Sequence, residues 1–271
     1  MLTDPFVIRA LLAALVLGPL CALLGVFLTA RRMAFFSDTI SHAALAGVAI
    51  GFWLRLGNPT ISMVAFSLLI AAALIWLKEH TELLNDTLMA LLLSGSVALG
   101  VIILYRLGGH RADLNRYLFG DILAVGPTEV WFSLGLALLV GGGVFWGLTP
   151  LTLLTTQEDL AHVCGVRVRR WNYIFVLVLT LTVALTINLL GIILVTSLLV
   201  IPPAAARNIS HSLRQQIWLS LLIGLVAGTG GVLSSDPLDV PCGPAIVMVA
   251  IAIFLATLIA NLWRKSKPSL G

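Results

Sequence analysis

Residues 35–47, FFSDTISHAALAG, set an aspartate, Asp38, and a histidine, His42, just inside what reads as a membrane-spanning stretch. Ionisable groups are expensive in lipid, and by default they mark a pathway or a binding site. The rest of the chain decides whether that default holds.

Of 271 residues, 59% are hydrophobic and only 10% charged. A soluble domain carries about a quarter charged residues, so the composition is that of a polytopic, all-α membrane protein. The length would permit one or two soluble domains. No polar block is long enough to be one, and residues 1–271 read as a single transmembrane domain. The net charge of +4 sits in loop clusters beside the spans, so it calls for no nucleic-acid partner. Cys21, Cys164 and Cys242 lie far apart and follow no metal-ligand spacing. The first hydrophobic run, 6–29, is too long for a signal-peptide core, and its basic residues follow it. It reads as an uncleaved span.

A span needs about 20 apolar residues, fewer where neighbours adapt. Spans are expected at 6–29, 37–54, 60–77, 87–105, 128–148, 172–188, 190–206, 215–233 and 244–263, nine give or take one. Within 172–206 a second reading stays open, one span plus a broken or re-entrant piece. Asn188, Gly191, Pro202 and Pro203 punctuate that stretch.

The basic residues divide between the two sides. Arg31, Arg32, Lys78, Arg167, Arg169, Arg170, Arg207, Arg214, Arg264, Lys265 and Lys267 fall on one side. Arg9, Arg55, Arg106, Arg111 and Arg116 fall on the other. By the positive-inside rule the first group is cytoplasmic, which puts the N-terminus outside and the C-terminus inside.

Two segments on the cytoplasmic side are more than connectors. TTQEDLAHVCGVRVRR (155–170) is polar, amphipathic and short. VIPPAAARNISHSLRQQ (200–216) begins with a double proline expected to end a span, then continues as small residues and a second short helical stretch. Such helices either dock a cytosolic partner or lie in the lipid interface. Ala43, Gly47 and Gly51, then Gly224 and Gly228, recur at helix-packing spacing, and close packing within one bundle accounts for them.

If Arg32 marks the membrane surface, Asp38 and His42 lie roughly 9 and 15 Å deep at about 1.5 Å per residue, in a hydrocarbon core of roughly 30 Å. Their i, i+4 spacing puts both side chains on one helix face. A carboxylate beside an imidazole suits a divalent transition ion such as zinc, manganese or iron. The plainer alternative is that Ser37 or Asp38 caps the helix and His42 bonds a neighbouring helix. Two ligands do not complete the four-fold shell that zinc prefers, so other helices or a second chain must contribute. No phosphate-binding G-x-x-x-x-G-K-[S/T] loop, H-E-x-x-H or G-x-S-x-G is present.

RRMAFFSDTISHAALAGVAIG, RADLNRYLFGDILAV, QEDLAHVCGV, LLGIILVTSLLVIPPAAAR and DVPCGPAIVMVAIAIFLATL follow one another along the chain. Together they resemble the membrane permease of bacterial ATP-binding-cassette importers for zinc, manganese and iron, over about residues 18–263. Any one motif is modest evidence; five in register are specific. DLNRYLFGDILAV leans towards the high-affinity zinc permeases.

The resemblance implies a helical fold similar to the vitamin B12 and iron-chelate importers, working as a homodimer in the bacterial inner membrane. It implies a separate cytosolic ATPase, so that the chain itself is not an enzyme, and an extracytoplasmic metal-binding protein. The ATPase would dock on 200–216, through Pro202, Pro203, Ala204 and Arg207, with Glu158 and Gly165 of 155–170 nearby. Asp38 and His42 carry over as metal-contacting residues of the path. Asp239 of DVPCGP matches a motif at the outer end, where gating or loop structure fits better than ligation. Zinc relatives often carry a histidine in the fourth span, where LLLSGSVALG (91–100) offers Ser94 and Ser96.

The expected function is ATP-driven import of zinc as cargo, with no resident cofactor. Manganese or ferrous iron is the alternative cargo. A proton-coupled secondary metal transporter is the rival from another class, and an intramembrane acid–base enzyme a third.

Overall fold

The structure, a computed structural model, describes residues 5–107, 120, 122, 125–156, 161 and 163–266, apart from the side chains of 107, 156, 236, 238 and 264–266. Among these residues the chain is helical and without strands. The helices are α1 (Pro5–Ala30), α2 (Phe35–Trp53), α3 (Pro59–His80), α4 (Asn85–Leu107), α5 (Pro127–Trp146), α6 (Leu148–Thr156), α7 (Val168–Leu190), α8 (Ile192–Ile209), α9 (Leu213–Leu238) and α10 (Cys242–Ser266). Among the described residues, nine are long and apolar enough to cross a membrane, all but α6. The protein is a multi-pass membrane protein whose spans fall where the hydropathy puts them.

Helix ends carry the aromatic residues expected at a membrane–water interface. Trp53 ends α2, Tyr105 lies near the end of α4, Trp146 ends α5 and Trp263 lies near the end of α10, all exposed. The turn before α3 is built from Asn58, whose side chain accepts from the Thr60 N–H at 3.0 Å, and Pro59 at the first helical position.

One open alternative falls and one expectation is corrected. Residues 172–206 hold the two expected spans, α7 and α8, and no re-entrant piece. They are separated only at Gly191, whose φ of 78° and ψ of 164° suit glycine alone. The double proline does not end a span. Pro202 and Pro203 lie inside α8, which runs on to Ile209, and the expected second short helix is the beginning of α9. A proline removes a backbone donor and leaves the carbonyl four residues earlier without its helical partner. Here the orphaned carbonyl of Leu199 is covered by Gly25, which has no β-carbon to keep it away.

The chain divides into two compact units. One comprises residues 1–29, 121–141 and 197–271. In it α9 packs along α10. Gly224 meets Gly18 of α1 backbone to backbone, Gly228 meets Ala14, and the buried Ser220 hydroxyl donates to the Ala22 carbonyl at 3.0 Å. The other unit comprises residues 30–120 and 142–196. Its centre is α2, which packs on α3, α4 and α7. Gly47 faces the backbone of Ser62 and Met63, and Gly51 faces Ser62 and Pro59, so small residues bring α2 and α3 together. Thr39 donates to Phe35 O at 2.9 Å and reaches Met89 O of α4 at 3.2 Å. A small cluster of Leu154, Ala161 and Val168, with Trp171 against it, joins α6 to the start of α7 in this unit.

Candidate functional site

The capping explanation for the SDTISH stretch is tested at the start of α2. Its N-cap is Ala34, in helical conformation, with no side-chain cap. The Ser37 hydroxyl donates back to Ala34 O at 3.1 Å. Neither Ser37 nor Asp38 caps the helix. Asp38 lies in the first turn of α2 without capping it.

Along the first three turns of α2, Ser37, Thr39, Ile40, Ser41, Ala43 and Ala44 are buried, while Asp38, His42 and Leu45 are partly exposed. The i, i+4 spacing therefore places the two ionisable groups on one stripe of α2 that the described residues leave partly exposed. His42 is close enough to Asp38 for direct electrostatic attraction, and Thr196 of α8 lies near the same carboxylate. Its hydroxyl donates to Ile193 O of its own helix at 3.3 Å.

On its other side His42 lines a cavity of about 150 Å³ between α2 and α4, with Leu45, Ala46, Ser96, Val97 and Gly100 among its walls. Ser96 is 3% exposed, and its hydroxyl has no hydrogen-bond partner among the described residues. Water occupies about 30 Å³ in the liquid, so the space admits a few waters beside the imidazole. Of the two serines in the fourth span, Ser96 shares a cavity with His42, whereas Ser94 is exposed.

The donors are a carboxylate, an imidazole and hydroxyls, a hard-to-borderline set that suits divalent zinc, manganese or iron. No group of three or more His, Cys, Asp or Glu able to hold a metal occurs among the described residues. The pair is suited to a passing ion, because conduction requires binding weak enough to release.

The other expected residues have different surroundings. Asp239 is exposed on the turn after α9, with a φ of 50°, and is described with the unit that holds α9 and α10. A left-handed residue just past a helix is a common terminator, and aspartate tolerates it better than most. In α8, Pro202 and Pro203 are buried, Ala204 is partly buried and Arg207 is exposed. Gly165, with a φ of 76°, forms the turn that leads into α7. Glu158 lies outside the described residues, as do Arg111 and Arg116.

Thr196 was not singled out by sequence reasoning. It sits inside the motif LLGIILVTSLLVIPPAAAR, but a threonine in a span usually bonds its own helix, and nothing local says which face meets Asp38.

Comparison with known proteins adds a family. Residues 3–261 match the model of the ABC 3 transport family. The high-affinity zinc uptake system membrane protein ZnuB of Haemophilus influenzae is 34% identical over 92% of this chain and 95% of its own length. The manganese transport system membrane protein MntC of Halalkalibacterium halodurans is 30% identical over 94% of this chain and 87% of its own. The chelated iron transport system membrane protein YfeD of Yersinia pestis is 32% identical over 95% and 86%. Among solved structures, PsaBC from Streptococcus pneumoniae in complex with Fab superposes with a TM-score of 0.83 at 30% identity, covering 97% of this chain and 96% of that one.

Proposed function

The chain belongs to the ABC 3 transport family and is the permease of an ABC metal importer; on that premise we propose that its cargo is zinc, passed inward over Asp38 and His42. The observation that carries this reading is the uncapped, partly exposed Asp38–His42 pair on α2, with Thr196 beside the carboxylate. The zinc assignment is supported by the 34% identity to ZnuB and by the imidazole in the pair.

In this reading two copies of the chain, each a single permease domain, face one another across the path. Each contributes one Asp38 and one His42, which supplies the four ligands zinc prefers. A separate ATPase subunit docks on 200–216, where Arg207 is exposed, and beside 155–170. An extracytoplasmic metal-binding protein delivers the ion. The N-terminus lies outside and the C-terminus in the cytoplasm, as the basic-residue asymmetry requires. Zinc enters, exchanges water for carboxylate and imidazole, and leaves when ATP-driven movement of the helix ends opens the inner side. The nearby Thr196 steadies Asp38 while the ion is absent.

The test is ATP-dependent uptake of radiolabelled zinc into vesicles that hold this chain, its ATPase and its binding protein, with manganese as competitor. Zinc uptake that needs ATP, resists manganese and is lost in His42→Ala supports the reading. Preferential uptake of manganese or iron replaces the cargo. Uptake without any ATPase, driven by a proton gradient, overturns the energy source.

A further inference from the structure

Away from the Asp38–His42 pair, the same unit holds a second cavity of about 520 Å³, formed where α1 and α3 end and α4 and α7 begin. Arg31, Arg32, Lys78 and Arg169 line it, against one acidic lining residue among the described residues, Glu79. Arg169 and Glu79 are paired at 2.6 Å. Among the described residues, Arg32 and Lys78 have no salt-bridge partner. Arg31 is fixed rather than free: its Nη1 donates to Asn172 Oδ1 at 3.0 Å and its guanidinium lies 4.4 Å from the centre of the Phe175 ring.

We propose that this cavity binds the phosphate headgroup of an anionic phospholipid. Basic residues at a membrane surface ordinarily spread out into the water, because like charges at close range repel. Here four converge on one space. The first residue of α4, Asn85, and the first turn of α7, with Val168 and Arg169, also line it. Two helix N-termini therefore add their positive ends, which is where phosphates bind.

The position favours a lipid over a free anion. The cavity lies at the ends of four membrane-spanning helices, hence at the depth of the headgroup layer. Leu83 and Leu84, both exposed, immediately precede Asn85 and offer apolar surface to acyl chains. Basic pockets between spans recognise anionic headgroups in this way. The proposal does not depend on which metal is carried.

The experiment uses the full-length chain in nanodiscs of phosphatidylcholine with increasing phosphatidylglycerol. Lipid retained after transfer to detergent is counted by native mass spectrometry, and the thermal midpoint is followed in parallel. The wild-type chain is expected to retain phosphatidylglycerol several-fold over phosphatidylcholine and to melt higher in its presence. R32Q/K78Q should lose both effects, R32K/K78R should keep them, and R55Q/R106Q, with the same change of charge elsewhere, should leave them unaltered. Equal retention of the two lipids by the wild type, or undiminished preference in R32Q/K78Q, overturns the proposal. So does a midpoint raised by millimolar inorganic phosphate in pure phosphatidylcholine discs with no lipid retained, since the site then takes free phosphate. Release of the lipid on adding the ATPase, with crosslinks from the cavity to an acidic segment of that subunit, would give the cavity to the partner instead.

Discussion

The carbonyl of Leu199 lies against Gly25, in the volume that a β-carbon on residue 25 would fill. Pro203 has no N–H to offer that carbonyl, so α8 can run straight through its two prolines only if something else covers the gap. Gly25 does so, with a backbone contact of the Cα–H to oxygen kind. Gly25→Ala is expected to destabilise the protein by roughly 1–3 kcal/mol, the usual penalty for overpacking. A detergent-solubilised variant should melt lower than the wild type. An unchanged midpoint would mean that the two backbones do not meet this closely.

Asp38 and His42 are partly exposed on α2 and take no part in its capping. His42→Ala and Asp38→Asn should therefore assemble normally, yet transport zinc on the order of tenfold or more slowly, as loss of a metal-site group typically costs. Monodisperse protein with wild-type uptake would return the pair to a structural role.

Thr196 of α8 lies near the same carboxylate. Thr196→Val keeps the shape and removes the hydroxyl, and is expected to reduce uptake by about tenfold. Thr196→Ser should restore most of it. If valine and serine behave alike, the hydroxyl serves only its own helix through Ile193 O.

Protons compete with metal for an imidazole, because only the neutral ring ligates. Zinc carried per ATP hydrolysed should fall as the pH is lowered and recover on return to neutrality. The ratio matters, since acid can slow the ATPase as well. A ratio that stays flat into the acid range counts against His42 as a ligand.

Gly191 separates α7 from α8 in a conformation that a β-carbon strains. Gly191→Ala is expected to cost on the order of 1–3 kcal/mol and to shift Thr196, five residues on, relative to Asp38. Lower thermal stability together with weakened uptake is the expected pair of results. A variant as stable as the wild type would show that the break at 191 needs no glycine.

The nine spans were legible because lipid imposes a local requirement: each crossing must be a continuous run of apolar residues with its backbone satisfied internally. The Asp38–His42 pair was legible for a related reason, since two ionisable groups four residues apart in such a run share a face whatever surrounds them. The capping alternative could not be dismissed from sequence. It fell only when α2 was seen to begin at Phe35, with Ser37 bonded back to Ala34.

Residues 200–216 were misread because a proline rule is also local. It says that Pro203 deprives Leu199 of a donor, not that a glycine on α1 will cover the freed carbonyl. Thr196 and the basic cavity were hidden in the same way. Arg31 was read as a topology signal, and nothing near it in the chain indicates that Asn172 and Phe175 hold it inward. The sequence by itself determined which runs of this chain are apolar enough to cross a membrane and which of them carries its ionisable pair, because burial in lipid is decided within one segment. The tertiary structure alone decided which carbonyl meets which glycine, which threonine lies near Asp38 and which cations share a cavity, because those contacts join segments far apart in the chain and depend on packed shape.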